Sequence, residues 1–490
     1  MFTPSNVELQ AAPAASLDEL KRLGIDTVHL YMHWADIAPD ASSATRPHFD
    51  AANPAAYPAS GWATYDTIIR DIKARGMTVL LDLVAPPPLW ASGPGAPAPA
   101  THPYWRPSPR QFALFTRAVG TRYSGHFRTA GSSSPLPRVD FWSIWNEPNL
   151  GIELAPQAVP HSSVEVSGSL YRGLVDAAWG ALHATGHGHD TILIGELGPA
   201  GATFGDAPGL FAAMAPLRFL RALYCVDSSY HPLTGTAAKA RGCPTSAAQS
   251  KAFAAQHPGL FRASGFADHP YPQGLPPDLA TPNEPDYTEL AEVGKLGRTL
   301  DTLQHVYGSN TRFPIWSTEY GYQTTPPDPG AGTVSPTRAA LYLNWSEYIT
   351  WLNPRLRSYD QFLMTDSSAG IFASGLRSAS GSEKPAYAAF RLPLYLPRTS
   401  GAKGAALEVW GCVRPARNAQ QASHRPQRVR IQFAGATGGA FKTVGTVPIT
   451  DRYGYFDVHQ RFPASGRVRL AWTYPHGPTV FSRTVDIALR

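Results

Sequence analysis

Hydrophobic positions along most of this chain switch repeatedly between a period of two and a period near 3.6. In residues 25–34, Val28, Leu30 and Met32 fall on one face and His29, Tyr31 and His33 on the other, which predicts a strand. Residues 77–84 are nearly continuous in apolar side chains, as strands covered on both faces are. Between the two, Trp62, Tyr65, Ile68, Ile69 and Ile72 recur at helical spacing and Gly76 ends the helix. An earlier helix is predicted over 16–23, capped by Ser16 with Glu19 three residues on. Further strands are predicted at 139–147, 191–197, 265–271, 312–319 and 359–365, with amphipathic helices between them such as 169–185 and 337–352. That makes seven strands, and only residues 1–9, poor in strand formers, are placed to supply an eighth. The alternation predicts an α/β fold, a (β/α)8 TIM barrel. An open doubly wound sheet is the alternative, but no Gly-rich phosphate loop follows an early strand.

Beyond residue 395 the period changes. Short strands at 429–433, 441–449, 455–462, 468–474 and 480–487 are separated by Gly, Pro and Asp without an amphipathic helix, the pattern of a small all-β sandwich. The expected division is a barrel over 1–394 and a sandwich over 395–490.

Composition narrows the partners. No apolar run reaches membrane-spanning length, and the formal charge of +6 comes with scattered Arg, which argues against nucleic acid. Nothing in the pattern sets an oligomeric state. The 47 Pro and 43 Gly imply long, punctuated loops. Cys225 and Cys243 bracket a polar loop, and a disulfide closing it is predicted; Cys412 is expected to pack as a small hydrophobe. A disulfide implies an oxidising, secreted or cell-surface setting. Residues 1–15 carry neither a basic n-region nor an apolar h-region, so either the start is incomplete or processed, or the protein is intracellular.

Two strands end in chemistry. The first runs Val139-Asp140-Phe141-Trp142-Ser143-Ile144-Trp145 and stops at Asn146-Glu147-Pro148. The second runs Arg312-Phe313-Pro314-Ile315-Trp316-Ser317-Thr318 and stops at Glu319-Tyr320-Gly321, with alternation placing Ile315, Ser317 and Glu319 on one side. A carboxylate carried inward by an apolar strand is either paired or used, because an isolated buried charge is too costly. Two of them across a barrel mouth suit glycosidic bond cleavage.

With Trp145-Asn146-Glu147-Pro148-Asn149 and Ser317-Thr318-Glu319-Tyr320-Gly321, the chain resembles clan A of the retaining glycoside hydrolases over about residues 16–392. The resemblance implies Glu147 as general acid and base, Glu319 as nucleophile, and Asn146 bonded to the sugar 2-hydroxyl. It also implies His269 and Tyr271 near the nucleophile, with Tyr271 or Tyr320 holding Glu319. Mechanistically, Glu147 is expected to carry a raised pKa, and the carboxyls to sit about 5 Å apart. The chain departs from the clan at His29, where an Arg is common, and at Gln361-Phe362, where a stacking Trp is common. Trp34, Trp90 and Trp105 are the substitute stacking surfaces expected, and Trp142 is expected in the core. No cofactor or metal is implied; the partner is a carbohydrate.

Other readings stay open. Asn283-Glu284-Pro285 repeats the key letters without a strand before it and reads as a helix entry. His29 and His33 share a strand face, but lack a third ligand at fixed spacing. Glu196 ends another strand and is the alternative to Glu147. A non-catalytic carbohydrate-binding barrel, a transglycosidase and a metal-dependent hydrolase are the competing functions.

Overall fold

The computed structural model describes residues 1–97, 103–160, 162–203 and 209–490. Six parallel strands, β1 (Thr27–His33), β2 (Thr78–Val84), β3 (Phe141–Ile144), β4 (Thr191–Leu197), β5 (Gly265–Asp268) and β6 (Ile315–Ser317), pair in chain order. Two irregular segments close the ring. Phe2 bridges Val28 of β1, Thr3 bridges Phe362, and Leu356 bridges Ile315 of β6, all in parallel. Residues 2–3 and the segment around 356–362 are thus the first and last staves of an eight-membered TIM barrel. The weak N-terminal stave is only two residues long because helix Asn6–Ala11, capped by Ser5, follows at once. The next helix starts at Pro13, earlier than expected, with no side-chain cap; the Ser16 hydroxyl bonds the Glu8 carbonyl instead.

The barrel interior is layered. Leu80, Phe141, Leu193 and Ala267 form an apolar floor with Met1 and Trp316 packed against it. Val28, Leu30 and Met32 face outward into the main core beneath the helices, leaving His29 and Tyr31 inside, as the alternation predicts. On β6 the expected face is reversed: Ile315 joins the outer core while Trp316 reaches the floor and Thr318 bonds Glu196 inside. The chain leaves strand geometry after Ser317, and that irregularity lets Glu319 point into the mouth.

The C-terminal sheets are antiparallel apart from one parallel pair, Val485–Leu489 with Ser400–Gly401. Strands β7 (Leu394–Tyr395), β9 (Ala406–Cys412) and β12 (Tyr455–Arg461) make one sheet. The other holds β8 (Ser400–Gly401), β10 (Arg428–Gly435), β11 (Lys442–Pro448), β13 (Gly466–Thr473), β14 (Thr479–Phe481) and β15 (Val485–Leu489). The predicted strand at 480–487 is therefore two, and a helix, Ala416–Ser423, lies where none was expected. Trp472 and Tyr474 belong to the sandwich core. Trp410 packs instead on Tyr348 and Trp351 of the barrel helix Pro336–Leu352, beside a buried Arg414–Glu347 ion pair. Among the described residues no helix is long and apolar enough to cross a membrane.

Cys225 and Cys243 are bonded and Cys412 is buried and free. Arg172 donates to the Leu223 and Gly242 carbonyls on either side of the bridge. A separation of 18 residues predicts a loss of about 3 kcal/mol of unfolding free energy in the Cys225→Ser, Cys243→Ser double variant, measured by urea denaturation. Unchanged stability would contradict the closed-loop account.

Candidate active site

Strand β3 ends because the backbone turns. Trp145 and Glu147 adopt positive φ of 66° and 36°, a conformation that costs a non-glycine residue about 1–3 kcal/mol. Hydrogen bonds hold it there. Trp145 N donates to Leu83 O, its indole N–H donates to Glu153 O at 3.1 Å, and Glu147 N donates to Glu196 O at 2.9 Å. The turn delivers Asn146 and Glu147 to a cavity of about 990 Å³ at the C-terminal mouth of the barrel, which Glu319, Tyr31 and Tyr271 also line. One carboxylate oxygen of Glu147, one of Glu319 and a ring nitrogen of His269 all lie within 4.8 Å of one another.

His269 follows β5 and is fully buried. Its Nδ1 is 3.0 Å from Glu147 Oε1 and 3.6 Å from Glu319 Oε2, while Nε2 is 2.8 Å from Glu196 Oε2. Carboxylates face both ring nitrogens, and only the imidazolium donates from both. Burial opposes that charge, but the three carboxylates outweigh it and hold the ring well above its ordinary pKa. Glu319 receives the Tyr271 hydroxyl on Oε2 at 2.8 Å and the Tyr31 hydroxyl on Oε1. Burial pushes Glu319 up and Glu147 adds to the push, against the pull of His269 and the two hydroxyls. A third carboxylate, Glu153, lines the same cavity; burial and then the charges of Glu147 and Glu319 drive its pKa well up. The Asn146 Oδ1 is buried and has no hydrogen-bond partner, an acceptor left for a ligand.

Beneath the mouth lies a polar layer. Glu196 is fully buried, outside the cavity lining, and accepts the Ser143 and Thr318 hydroxyls in addition to His269. It anchors the histidine from beneath the cavity. Thr3 donates to Asp360 at 2.9 Å and sits 3.1 Å from His29 Nδ1, and His29 Nε2 lies 3.6 Å from Asp82. Burial works against a charged His29, but Asp82, Glu196 and Asp360 lift its pKa to about 9. Burial alone leads in raising Asp268 to about 8, Asp360 to about 7 and Asp82 to about 6. By distance, His29, Asp82 and Glu196, or Glu147, His269 and Glu319, form the groups able to surround an ion. A His269 that donates from both nitrogens has no lone pair to offer a metal. His29 and His33 do not join in one ligand group among the described residues; His33 Nδ1 instead bonds Ala85 O.

Several expected residues lie elsewhere. Trp34 is fully buried and stacks on Phe115 at 5.4 Å, because the turn after β1 sends it outward under helix Pro109–Arg122. Trp90 packs edge-on against Trp34 and donates to Pro39 O, and Trp105 donates to Pro94 O; neither lines the cavity. Tyr320 is buried, pairs with the Ser346 hydroxyl and stacks at 6.3 Å on Tyr271, so it backs that residue without touching substrate space. Trp142 is in the core as expected. Glu284 sits in a turn, not a helix entry, and accepts the Thr203 hydroxyl. Tyr31 and Glu153 were missed. Tyr31 was legible from its inward strand face two residues beyond His29, whereas Glu153 comes from a loop without periodicity.

No family model matches the chain, and no curated protein does. Among solved structures it is similar to a glucosidase from Croceicoccus marinus, 11% identical over 95% of this chain and 91% of that one, at a TM-score of 0.49. It is also similar to an exo-beta-1,4-mannosidase from Opitutaceae bacterium strain TAV5, 14% identical over 79% of this chain and 56% of that one, TM-score 0.43. A family 1 β-glucosidase from Thermotoga maritima is 15% identical over 73% and 78%, TM-score 0.42. Identities this low leave the site's own geometry to carry the function.

The interior groups make a pH prediction. A group whose pKa is raised on folding contributes stability that is present below its unfolded pKa and lost as pH climbs through the folded one. His29, raised from 6.5 to about 9, and Asp268, raised from 3.8 to about 8, both act in this direction. The urea midpoint should therefore fall between about pH 7 and about pH 9, and Asp268→Asn should flatten the part of that decline below about pH 8. A midpoint that rises over this interval would contradict the assignment.

Proposed function

We propose that the chain is a retaining glycoside hydrolase of clan A type, acting on O-glycosidic bonds by double displacement. The observation that carries this reading is the approach of Glu147 and Glu319 within 4.8 Å across the barrel mouth. That separation matches the short spacing of retaining enzymes and leaves no room for the water that an inverting pair holds. Glu319, oriented by the two tyrosine hydroxyls, attacks the anomeric carbon while Glu147 gives its proton to the leaving oxygen. A glycosyl ester of Glu319 results. Glu147, now ionised, takes a proton from water, which attacks the same carbon, frees Glu319 and yields a sugar of unchanged configuration.

The neighbours have matching tasks. His269 supplies a fixed positive charge beside both carboxylates, which favours the ionised form of Glu319 in the free enzyme and holds Glu147 in place. The unpartnered Asn146 carbonyl suits a sugar hydroxyl. The disulfide supports a secreted setting, which belongs to the same proposal.

The test is chemical rescue. Glu319→Ala should lower turnover of activated aryl glycosides by at least about 10³-fold, with azide restoring release as the glycosyl azide. Undiminished hydrolysis by that variant would overturn the assignment.

A further inference from the structure

The wall beside the acid is mostly apolar, although Glu153 also lies on it. Leu150 and Ile152 come from the loop that leaves Glu147, and Pro199, Ala200 and Ala213 also line the cavity. Leu150 sits close to the acid: a Cβ placed on Gly198 would meet both Glu147 Oε1, at 3.1 Å, and Leu150 Cδ1, at 3.4 Å. Ile152 is 62% exposed, and Ile371 on another lip is 65% exposed. Both line the cavity, so a ligand filling it would cover them. All twelve tryptophans of the chain lie among the described residues, and none lines the cavity. Among the described lining residues there is also no Lys or Arg.

The geometry points to an apolar aglycone, an alkyl chain or aromatic ring, as the group that leaves over Leu150 and Ile152; the inference rests on the hydrolase reading above. Because Glu147 protonates the leaving oxygen, whatever hangs from that oxygen must run along the loop that carries Glu147. A second sugar there would reach few hydrogen-bonding side chains, Glu153 and Tyr104 among them, beside the apolar Leu150 and Ile152, and no Trp lines the cavity for stacking. A hydrocarbon would instead gain from leaving water, and more so with each added methylene. The missing cations make an anionic aglycone a poor match as well.

The experiment first finds the accepted sugar with a panel of aryl glycosides. It then compares kcat/KM for the methyl, butyl and octyl glycosides of that sugar, below their micelle concentrations, and for a disaccharide with the same non-reducing unit. Simple alkanols differ little in acidity, so chain length reports binding and not leaving-group chemistry. The expected result is a rise of at least about tenfold from methyl to octyl, with the disaccharide below octyl, and Ile152→Ser narrowing the octyl-to-methyl ratio several-fold. A flat alkyl series, or a disaccharide that outruns the octyl glycoside, overturns the apolar aglycone and leaves the hydrolase standing. Failure of every glycoside in the panel overturns both.

Discussion

The rest of the site depends on a buried cation. His269 is enclosed where the fourth, fifth, sixth and seventh staves of the barrel meet, and it touches Glu147 and Glu196 directly, with Glu319 just beyond. Three carboxylates gathered in a water-poor space repel one another, and without a counter-charge some of them would take up protons. The imidazolium offsets that repulsion at its centre. It also fixes directions, since each ring nitrogen has a defined partner and the ring is itself fully buried. A histidine with both N–H groups committed is a charge and a spacer at once, which is why two glutamates can stand so close at the mouth.

That cation needs a base under it, and the polar layer provides one. In most barrels of this kind the interior is filled by branched apolar residues. Here only the floor is so filled, and the storey above holds His29, Asp82, Glu196, Asp268 and Asp360, all fully buried. Hydroxyls link some of these groups: Ser143 and Thr318 donate to Glu196, Thr3 to Asp360 and Thr288 to Asp268. The N-terminal segment takes part through Thr3, whose hydroxyl adds to the four backbone hydrogen bonds that residues 2–3 make with the flanking staves.

Much of this was legible in the residues. The alternation of Val28, Leu30 and Met32 with His29 and Tyr31 gave the correct inward face, and the two strand-ending glutamates do converge. Reading failed where geometry departs from regular structure. Beta6 has three residues in strand form, so counting by twos from Ile315 put Ser317 inside when Trp316 and Thr318 are. Tryptophan was a poor guide for a different reason. Trp90 and Trp105 lie in a loop whose proline content suggests exposure, yet their indole N–H groups donate to the Pro39 and Pro94 carbonyls, and Trp34, at the end of its strand, is fully buried with no partner for Nε1. Glu153 shows the same limit: a carboxylate enters the cavity because the Trp145 indole captures its carbonyl, and no local pattern encodes that.

The left-handed backbone at Glu147 shows what holds this corner of the barrel mouth. A glycine there would adopt the same conformation without strain, but it would also take from the buried His269 one of its hydrogen-bonded carboxylates. The corner is therefore kept by its side chain against the preference of its own backbone.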